Sequence, residues 1–266
     1  MRSRRWSIVA AATVLLIAAV LPGASASAAP HRVKPTVVLV HGAWADGSSW
    51  SGVTQRLLDE GYPVRVPPNP LRSLPGDSAT IAAFLATIAG PIVLVGHSYG
   101  GAVITNAATG NPNVKALVYV DAFLPAEGET IFPLAGADSA LAAPPETLFD
   151  FVPYPGAPTG DVDLYLKQDL FLTTFASQVK RPTAQLLYAA QRPLAFSAGN
   201  QASGVPAWLT IPSWDVIGEH DLIITPAAQH SMADRAGAKV TSVNGGHLAL
   251  VSDPGAVTRV ILKAAR

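Results

Sequence analysis

The sequence has no cysteine and little charge: charged residues make up 14% of its 266 residues. Without cysteine the chain forms no disulfide, no thiolate metal site, no iron–sulfur cluster and no cysteine nucleophile. Basic and acidic residues each number 18, and no basic cluster lies outside the extreme N-terminus, so a nucleic-acid partner is not expected. Hydrophobic residues make up 49% of the chain, enough for one large core, which predicts a single folded domain.

The N-terminal segment has the three parts of a secretory signal peptide. Arg2, Arg4 and Arg5 form a basic region, an apolar run follows from Ile8 to Leu21, and the last small-x-small site ends at Ala28. The apolar run is shorter than the roughly 20 residues of a spanning helix, which favours cleavage over anchoring. We therefore expect a secreted protein, cleaved near residue 28 and without stable membrane association. The paired arginines match a twin-arginine signal in part, which leaves the export route open.

Short apolar runs alternate with helical patterns along most of the remaining chain, residues 29–266. Such β-branched runs, apolar on both faces, predict strands buried in a parallel sheet. They lie at residues 37–40, 92–95, 116–120 and 214–217, with weaker candidates at 64–66 and 240–243. The alternation predicts an α/β fold, with a mostly parallel sheet flanked by helices.

Capping residues mark several helix ends. Gly61 stands where a helix C-cap belongs, and Asp77 or Ser78 is available as the N-cap of the next helix. Thr225 and Asp253 each precede a proline, which predicts that a helix begins directly after them.

The alternation stops between Phe123 and Thr210. This stretch is rich in proline and contains all but one of the eight phenylalanines. Weak helical patterns lie near residues 162–173 and 182–191. We expect a helical lid, inserted at about 123–210 over the C-terminal edge of the sheet, where open α/β sheets bind ligands.

The strand at 92–95 runs directly into Gly96-His97-Ser98-Tyr99-Gly100, and a helix of small residues follows. Strand, G-x-S-x-G and helix form the context that a nucleophile elbow requires. The sharp turn strains the serine backbone and frees its Oγ, and only glycine fits where strand and helix pass closely. We expect Ser98 to be the nucleophile. The alternative is an incidental serine in a glycine-rich turn.

Among the six histidines, His247 is the candidate base for this serine. It lies in a glycine-containing loop, residues 244–247, just after the last predicted strand, and such a loop can carry an imidazole over the sheet edge. His97 adjoins Ser98 and cannot turn back to it. The alternative is that His247 merely caps the following helix.

Two aspartates, Asp221 and Asp121, follow predicted strands and precede His247, so both satisfy the chain order serine, aspartate, histidine. We expect Asp221 to orient His247, because its strand neighbours the one that delivers the histidine. Asp121 lies at the start of the lid segment, where a carboxylate can accept hydrogen bonds from backbone N–H groups as the chain turns. Glu219, His220 and Asp221 are too close in the chain to point at one ion, so no metal site is expected.

A tetrahedral intermediate needs two backbone donors. The Tyr99 N–H lies next to the nucleophile, and the Ala43 N–H follows the first strand, where Gly42 lets the backbone approach closely. We expect these two groups to form an oxyanion hole.

Six motifs between residues 36 and 265 carry a family resemblance. They are HGAWADGSSW at 41–50, GHSYGG at 96–101, YVDAFLPAEGET at 119–130, QRPLA at 191–195, PAWLTIPSW at 206–214 and GGHLALVSDP at 245–254. On these the chain resembles α/β-hydrolases of the compact, small-lid group, which includes plant methylesterases, hydroxynitrile lyases and bacterial esterase-like proteins. The resemblance implies Ser98, Asp221 and His247 as the triad, and the Ala43 and Tyr99 amides as the oxyanion hole.

The resemblance leaves the reaction less defined than the site. Hydroxynitrile lyases of the group carry a lysine where Leu248 stands and a threonine where Gly42 stands, which favours hydrolysis here. Asp215, inside an apolar strand, also departs from the group. We expect a cofactor-free serine hydrolase acting on a small, largely apolar ester or lactone. The alternatives are a lyase or haloperoxidase-like enzyme of the same fold, or a ligand-binding protein that retains the triad; the oligomeric state is open.

Overall fold

The computed structural model describes residues 6–7 and 33–266. The predicted signal peptide and its cleavage site lie outside the described residues, apart from Trp6 and Ser7. Residues 34–266 form one compact unit. Among the described residues, none of the helices has the length and apolar character needed to cross a membrane.

The secondary structure follows the predicted alternation. The strands in the described part of the chain are β1 (Thr36–Val40), β2 (Val64–Arg65), β3 (Ile92–His97), β4 (Val114–Val120), β5 (Phe149–Val152), β6 (Asp163–Leu166), β7 (Leu194–Ala195), β8 (Ser213–Gly218) and β9 (Lys239–Val243). The helices there are α1 (Ser51–Asp59), α2 (Leu74–Ala86), α3 (Tyr99–Ala107), α4 (Ile131–Leu134), α5 (Pro145–Leu148), α6 (Gln168–Leu170), α7 (Arg181–Ala189), α8 (Phe196–Asn200), α9 (Pro226–Ala236), α10 (Ala249–Ser252) and α11 (Pro254–Ala264). A π-helical turn, Phe171–Phe175, follows α6.

Six strands form one parallel sheet in the order β2-β1-β3-β4-β8-β9. The predicted α/β fold with a mostly parallel sheet is therefore confirmed. Every residue of the central strand β3 is buried, as its unbroken apolar run predicts. Because the strands are parallel, the loops that follow β1, β3, β4, β8 and β9 meet at one edge of the sheet. That edge carries Ser98, Asp121 and Asp221.

The helix ends agree with the capping pattern, with one exception. Thr225 Oγ1 accepts a hydrogen bond from the Ala228 N–H at the start of α9, and Asp253 caps α11 in the same way. The exception is α2, which begins before Asp77 and Ser78. Its N-cap is Ser73, whose Oγ accepts from the Gly76 N–H, since the Leu74-Pro75 start suits a first helical turn.

The segment between β4 and β8 combines the predicted helices with a small antiparallel sheet. This sheet has the order β5-β6-β7, and β6 occupies the first residues of a stretch for which a helix was expected. In β5 only Phe149 is buried, and in β6 Asp163, Leu164 and Leu166 are buried, so neither strand shows a period of two. These short strands therefore carry no signal that outweighs the neighbouring helical spacing.

Candidate active site

Ser98 lies in the sharp turn between β3 and α3. Its φ of +53° is in the left-handed region, which a serine adopts only under strain imposed by its surroundings. The surroundings are crowded backbone: a Cβ atom on Gly96 would lie 2.5 Å from the Gly100 carbonyl oxygen, and one on Gly100 would lie 2.6 Å from that of Val40. The glycines are therefore required by the close approach of β3, α3 and β1.

The structure brings Ser98, His247 and Asp221 together in one chain of hydrogen bonds. The distance from His247 Nδ1 to Asp221 Oδ2 is 2.8 Å, and that from His247 Nε2 to Ser98 Oγ is 2.9 Å. A carboxylate only accepts, so Nδ1 carries the proton, and Nε2 is left to accept from the serine hydroxyl. All three residues are buried, which shields this arrangement from competing water.

Asp221 is held by several donors besides His247. Its Oδ1 accepts from the Ile223 and Ile224 N–H groups at 2.7 and 3.0 Å, and its Oδ2 also accepts from Gln229 Nε2 at 2.8 Å. Gln229, on α9, is completely buried and donates to the Ile224 carbonyl as well. These bonds fix the orientation of the carboxylate toward His247.

Asp121, the other aspartate that fits the chain order, makes no contact with His247 Nδ1. Its two oxygens accept from the Gly218 N–H at 2.8 Å and from the Ala249 N–H at 3.0 Å. Burial, reinforced by the nearby charge of Asp221, raises the pKa of Asp121 well above its usual range. Asp121 therefore joins the ends of β4 and β8 to the start of α10.

His97 has a role at the site that the sequence analysis missed. Its Nε2 donates to the His247 carbonyl at 2.8 Å, and the two rings lie 4.9 Å apart. Burial, with a smaller contribution from His247, lowers the pKa of His97 well below its usual value, so it stays neutral. No local signal points to this contact, because the partners are 150 residues apart in the chain.

The loop after β1 packs directly on the nucleophile turn. A Cβ atom on Gly42 would lie 2.7 Å from the Ser98 Cβ, so only glycine fits there. His41 Nδ1 donates to the Gly42 carbonyl at 3.0 Å, and His41 Nε2 accepts from the Asn69 N–H at 3.0 Å. Asn69 Nδ2 in turn donates to the His41 carbonyl. The buried pair His41 and Asn69 therefore sets the path of the loop that carries Ala43.

A narrow cavity, with about 10 Å³ of room for the centre of a water-sized molecule, lies over the nucleophile. Ser98, Ala43 and Tyr99 form its base, beside Trp44. Its other lining residues are apolar: Phe123, Ile131, Phe132, Leu141, Leu194 and Ile223. No charged side chain lines it, which suits a small, neutral and largely apolar ligand.

Asp215 lies away from this arrangement. It is completely buried on β8 beside Tyr119 of β4, and neither carboxyl oxygen has a hydrogen-bond partner. Burial raises the pKa of Asp215 well above its usual range, which favours the neutral acid in the folded protein. Nothing in the structure explains why an aspartate stands there.

Three comparisons with known proteins agree with this architecture. A carbendazim-hydrolysing esterase of Nocardioides sp. (strain SG-4G) is 29% identical over 198 residues, which cover 67% of this chain and 80% of that protein. A pyrethroid hydrolase of Sphingobium wenxiniae is 34% identical over 107 residues, or 35% of this chain and 38% of that protein. The crystal structure of polyneuridine aldehyde esterase superimposes with a TM-score of 0.74 at 18% identity, and it covers 88% of this chain and 100% of that one.

A serine on a strained turn at the C-terminal edge of a parallel sheet, facing a histidine and an aspartate from later loops, is the arrangement of a hydrolase site. The pattern of the alpha/beta hydrolase family matches residues 37–260. The chain belongs to that family.

Proposed function

We propose that this protein is a secreted serine hydrolase that cleaves a carboxylic ester or lactone of a small, largely apolar substrate. That it is an ester-cleaving hydrolase follows from its family and from relatives named as an esterase and as hydrolases. The observation that carries the finer proposal is the buried chain of hydrogen bonds from Asp221 through His247 to Ser98, beside an apolar cavity.

The proposed reaction has two halves, acylation and then deacylation of Ser98, and the same groups act in both. Ser98 Oγ attacks the substrate carbonyl carbon while its proton passes to His247 Nε2, and the Asp221 carboxylate stabilises the resulting imidazolium. The Ala43 and Tyr99 N–H groups stabilise the oxyanion. The intermediate then collapses, and His247 gives its proton to the leaving alcohol. Water, deprotonated by His247, cleaves the acyl-enzyme and releases the acid.

The substrate class follows from the cavity. It is narrow, with about 10 Å³ of room for the centre of a water-sized molecule. Its apolar lining makes burial of a charged acyl group costly, since nothing there would pair with the charge. The proposal therefore favours a neutral, apolar group.

Export remains part of the proposal and rests on the sequence alone. The basic region, the apolar run and the small-x-small sites support cleavage near residue 28. Secretion and the absence of cysteine are compatible, because the folded unit is stabilised by its core rather than by disulfides.

The direct test measures turnover of short p-nitrophenyl esters and of simple lactones by the wild type, by Ser98→Ala and by the control Ser231→Ala, an exposed serine on α9. We expect Ser98→Ala to fold normally and to lose at least about 10³-fold in kcat. Ser231→Ala should match the wild type. A fluorophosphonate should label the wild type and not Ser98→Ala.

Two outcomes contradict the proposal. Retained activity in Ser98→Ala would exclude Ser98 as the nucleophile. A wild type that binds esters and lactones without cleaving any of them would favour a ligand-binding protein that retains the triad.

A further inference from the structure

A second narrow cavity lies beside the first, and none of the triad residues lines it. Phe171, Phe175, Leu187, Ala190 and Leu248 supply most of its walls. Its lining also includes Ala45, Asp46 and Ser49. Ser49 Oγ already donates to the Asp46 carbonyl, and Asp46 Oδ1 accepts from Ser48, so the polar groups face their own partners. The second cavity is therefore mainly apolar and, like the first, has about 10 Å³ of room for the centre of a water-sized molecule.

Trp44 is the one residue that lines both cavities in the described part of the chain. It directly follows Ala43, and the two residues line the first cavity together with Ser98. Phe175, in the second cavity, also packs on His247, with ring centres 5.1 Å apart. Both cavities are thus adjacent to the reacting groups, and they share Trp44 as a wall.

The Trp44 side chain is held in place by the inserted segment. Its indole Nε1–H donates to the Leu164 carbonyl at 2.9 Å, and its ring stacks on Phe149 with the centres 5.5 Å apart. Its backbone has a φ of +56°, a strained value for tryptophan, and its N–H donates to the Arg192 carbonyl at 2.9 Å. A strained residue persists only where its surroundings over-determine it, and such residues are concentrated at functional sites.

We propose that Trp44 is a specificity-determining residue whose indole limits the length of the apolar chain that fits beside Ser98. Removing the indole joins the two cavities and makes the second one a subsite for an alkyl chain of an ester. This inference rests on the proposed ester hydrolysis, and it predicts that the wild type prefers short chains because the indole closes the first cavity.

The expected effect follows from burial of methylene groups. Each methylene that enters an apolar site contributes about fourfold in binding, so four additional methylenes raise kcat/KM by up to roughly 10²-fold if all of them are buried. The readout is the ratio of kcat/KM for a long-chain ester to that for a short-chain ester. This ratio cancels any common loss that arises if the Ala43 N–H shifts in the variant.

The experiment measures this ratio for p-nitrophenyl octanoate against butyrate, and for octyl against butyl acetate, in Trp44→Ala, Trp44→Leu and Leu187→Ala. Trp44→Ala should raise the ratio at least tenfold in one of the two series, and Trp44→Leu, which keeps apolar contact with Phe149, should give a smaller rise. Leu187→Ala is the matched control, because it enlarges the second cavity and leaves the Trp44 indole in place. Its ratio should stay within about twofold of the wild type.

Unchanged ratios in both series for a folded Trp44→Ala would overturn the proposal, and so would an equal rise in Leu187→Ala. If Trp44→Ala does not fold, the ratio in Trp44→Leu decides in the same way. A wild type without esterase activity would contradict the proposed function instead. In that case, binding of the neutral amides butanamide and octanamide to Ser98→Ala, with and without Trp44→Ala, tests separately whether the indole limits chain length: only the double variant should favour octanamide.

Discussion

Replacing Asp215 by asparagine should stabilise the protein, and increasingly so as the pH rises. The Asp215 carboxyl is 0% exposed, and neither of its oxygens has a hydrogen-bond partner. Because burial raises its pKa well above the usual range, the folded protein keeps it protonated. In the unfolded chain the same carboxyl ionises above a pKa of about 3.9. Folding above that pH must therefore take up a proton.

The magnitude follows from this linkage. Below the pKa of the unfolded chain Asp215 is protonated in both states, and it does not make the free energy of unfolding depend on pH. Above it, each pH unit lowers the free energy of unfolding by about 1.4 kcal/mol, until the raised folded pKa is reached. Asparagine has nearly the same shape and does not ionise. The difference in the free energy of unfolding between Asp215→Asn and the wild type should therefore grow by about 1.4 kcal/mol for each pH unit. Each kcal/mol corresponds to about 2–4 °C in Tm for a chain of this size.

A second replacement separates ionisation from the missing hydrogen bonds. Asp215→Val also removes the unpartnered polar group, which should add about 1–3 kcal/mol at every pH. Asparagine leaves a polar group unpartnered, so only the pH-dependent part of its effect is diagnostic. The two variants together therefore separate the pH-dependent cost of ionisation from the pH-independent cost of the unpartnered polar group.

The assay is urea unfolding, followed by tryptophan fluorescence, between about pH 5 and 8. Asp138→Asn, in an exposed loop, is the control, and its difference from the wild type should not change with pH. If the wild type and Asp215→Asn lose stability in parallel as the pH rises, Asp215 is not a neutral buried acid and the reasoning fails.

Three other expectations concern the site and the N-terminus. Asp221→Asn should lower kcat by about 10⁴-fold because the imidazole takes the wrong tautomer, whereas folded Asp121→Asn should lose far less; steady-state kinetics that reverse this order would make Asp121 the acid. His97→Leu removes the donor to the His247 carbonyl and should lower kcat by up to about 10²-fold with little change in KM, and His97→Gln should restore part of it; equal losses in both would indicate a purely structural role. N-terminal sequencing of protein from the culture medium should begin near Ala29, and an intact Met1 in the membrane fraction would mean that the segment is an anchor.

The strands of the main sheet were predictable because their physics is local. A strand covered by helices on both faces is apolar on both faces, and residues 92–95 of β3 and 116–120 of β4 show that pattern without any knowledge of their neighbours. The sheet of the inserted segment was not predictable. Its strands β5, β6 and β7 have two to four residues each, and their pairing joins segments that lie far apart in the chain.

The start of α2 shows the same limit on a smaller scale. Asp77 and Ser78 are both acceptable N-caps by residue type, yet the helix begins at Leu74 and Asp77 accepts from the Tyr99 hydroxyl at 2.7 Å. A tertiary contact between α2 and α3 uses the carboxylate that the local pattern assigned to a cap. The local pattern therefore missed Ser73, the residue that caps the helix.

The sequence by itself determined the features that depend on neighbouring residues: the buried strands, the turn that projects Ser98, and the glycines that let backbones pass. Only the tertiary structure decided which aspartate meets His247, because Asp121 and Asp221 both follow parallel strands that end at the same sheet edge. It also decided the roles of His97 and Trp44, whose partners lie 150 and 120 residues away. Such contacts depend on the register of the whole sheet and the path of the insertion, and no local pattern in the chain encodes either.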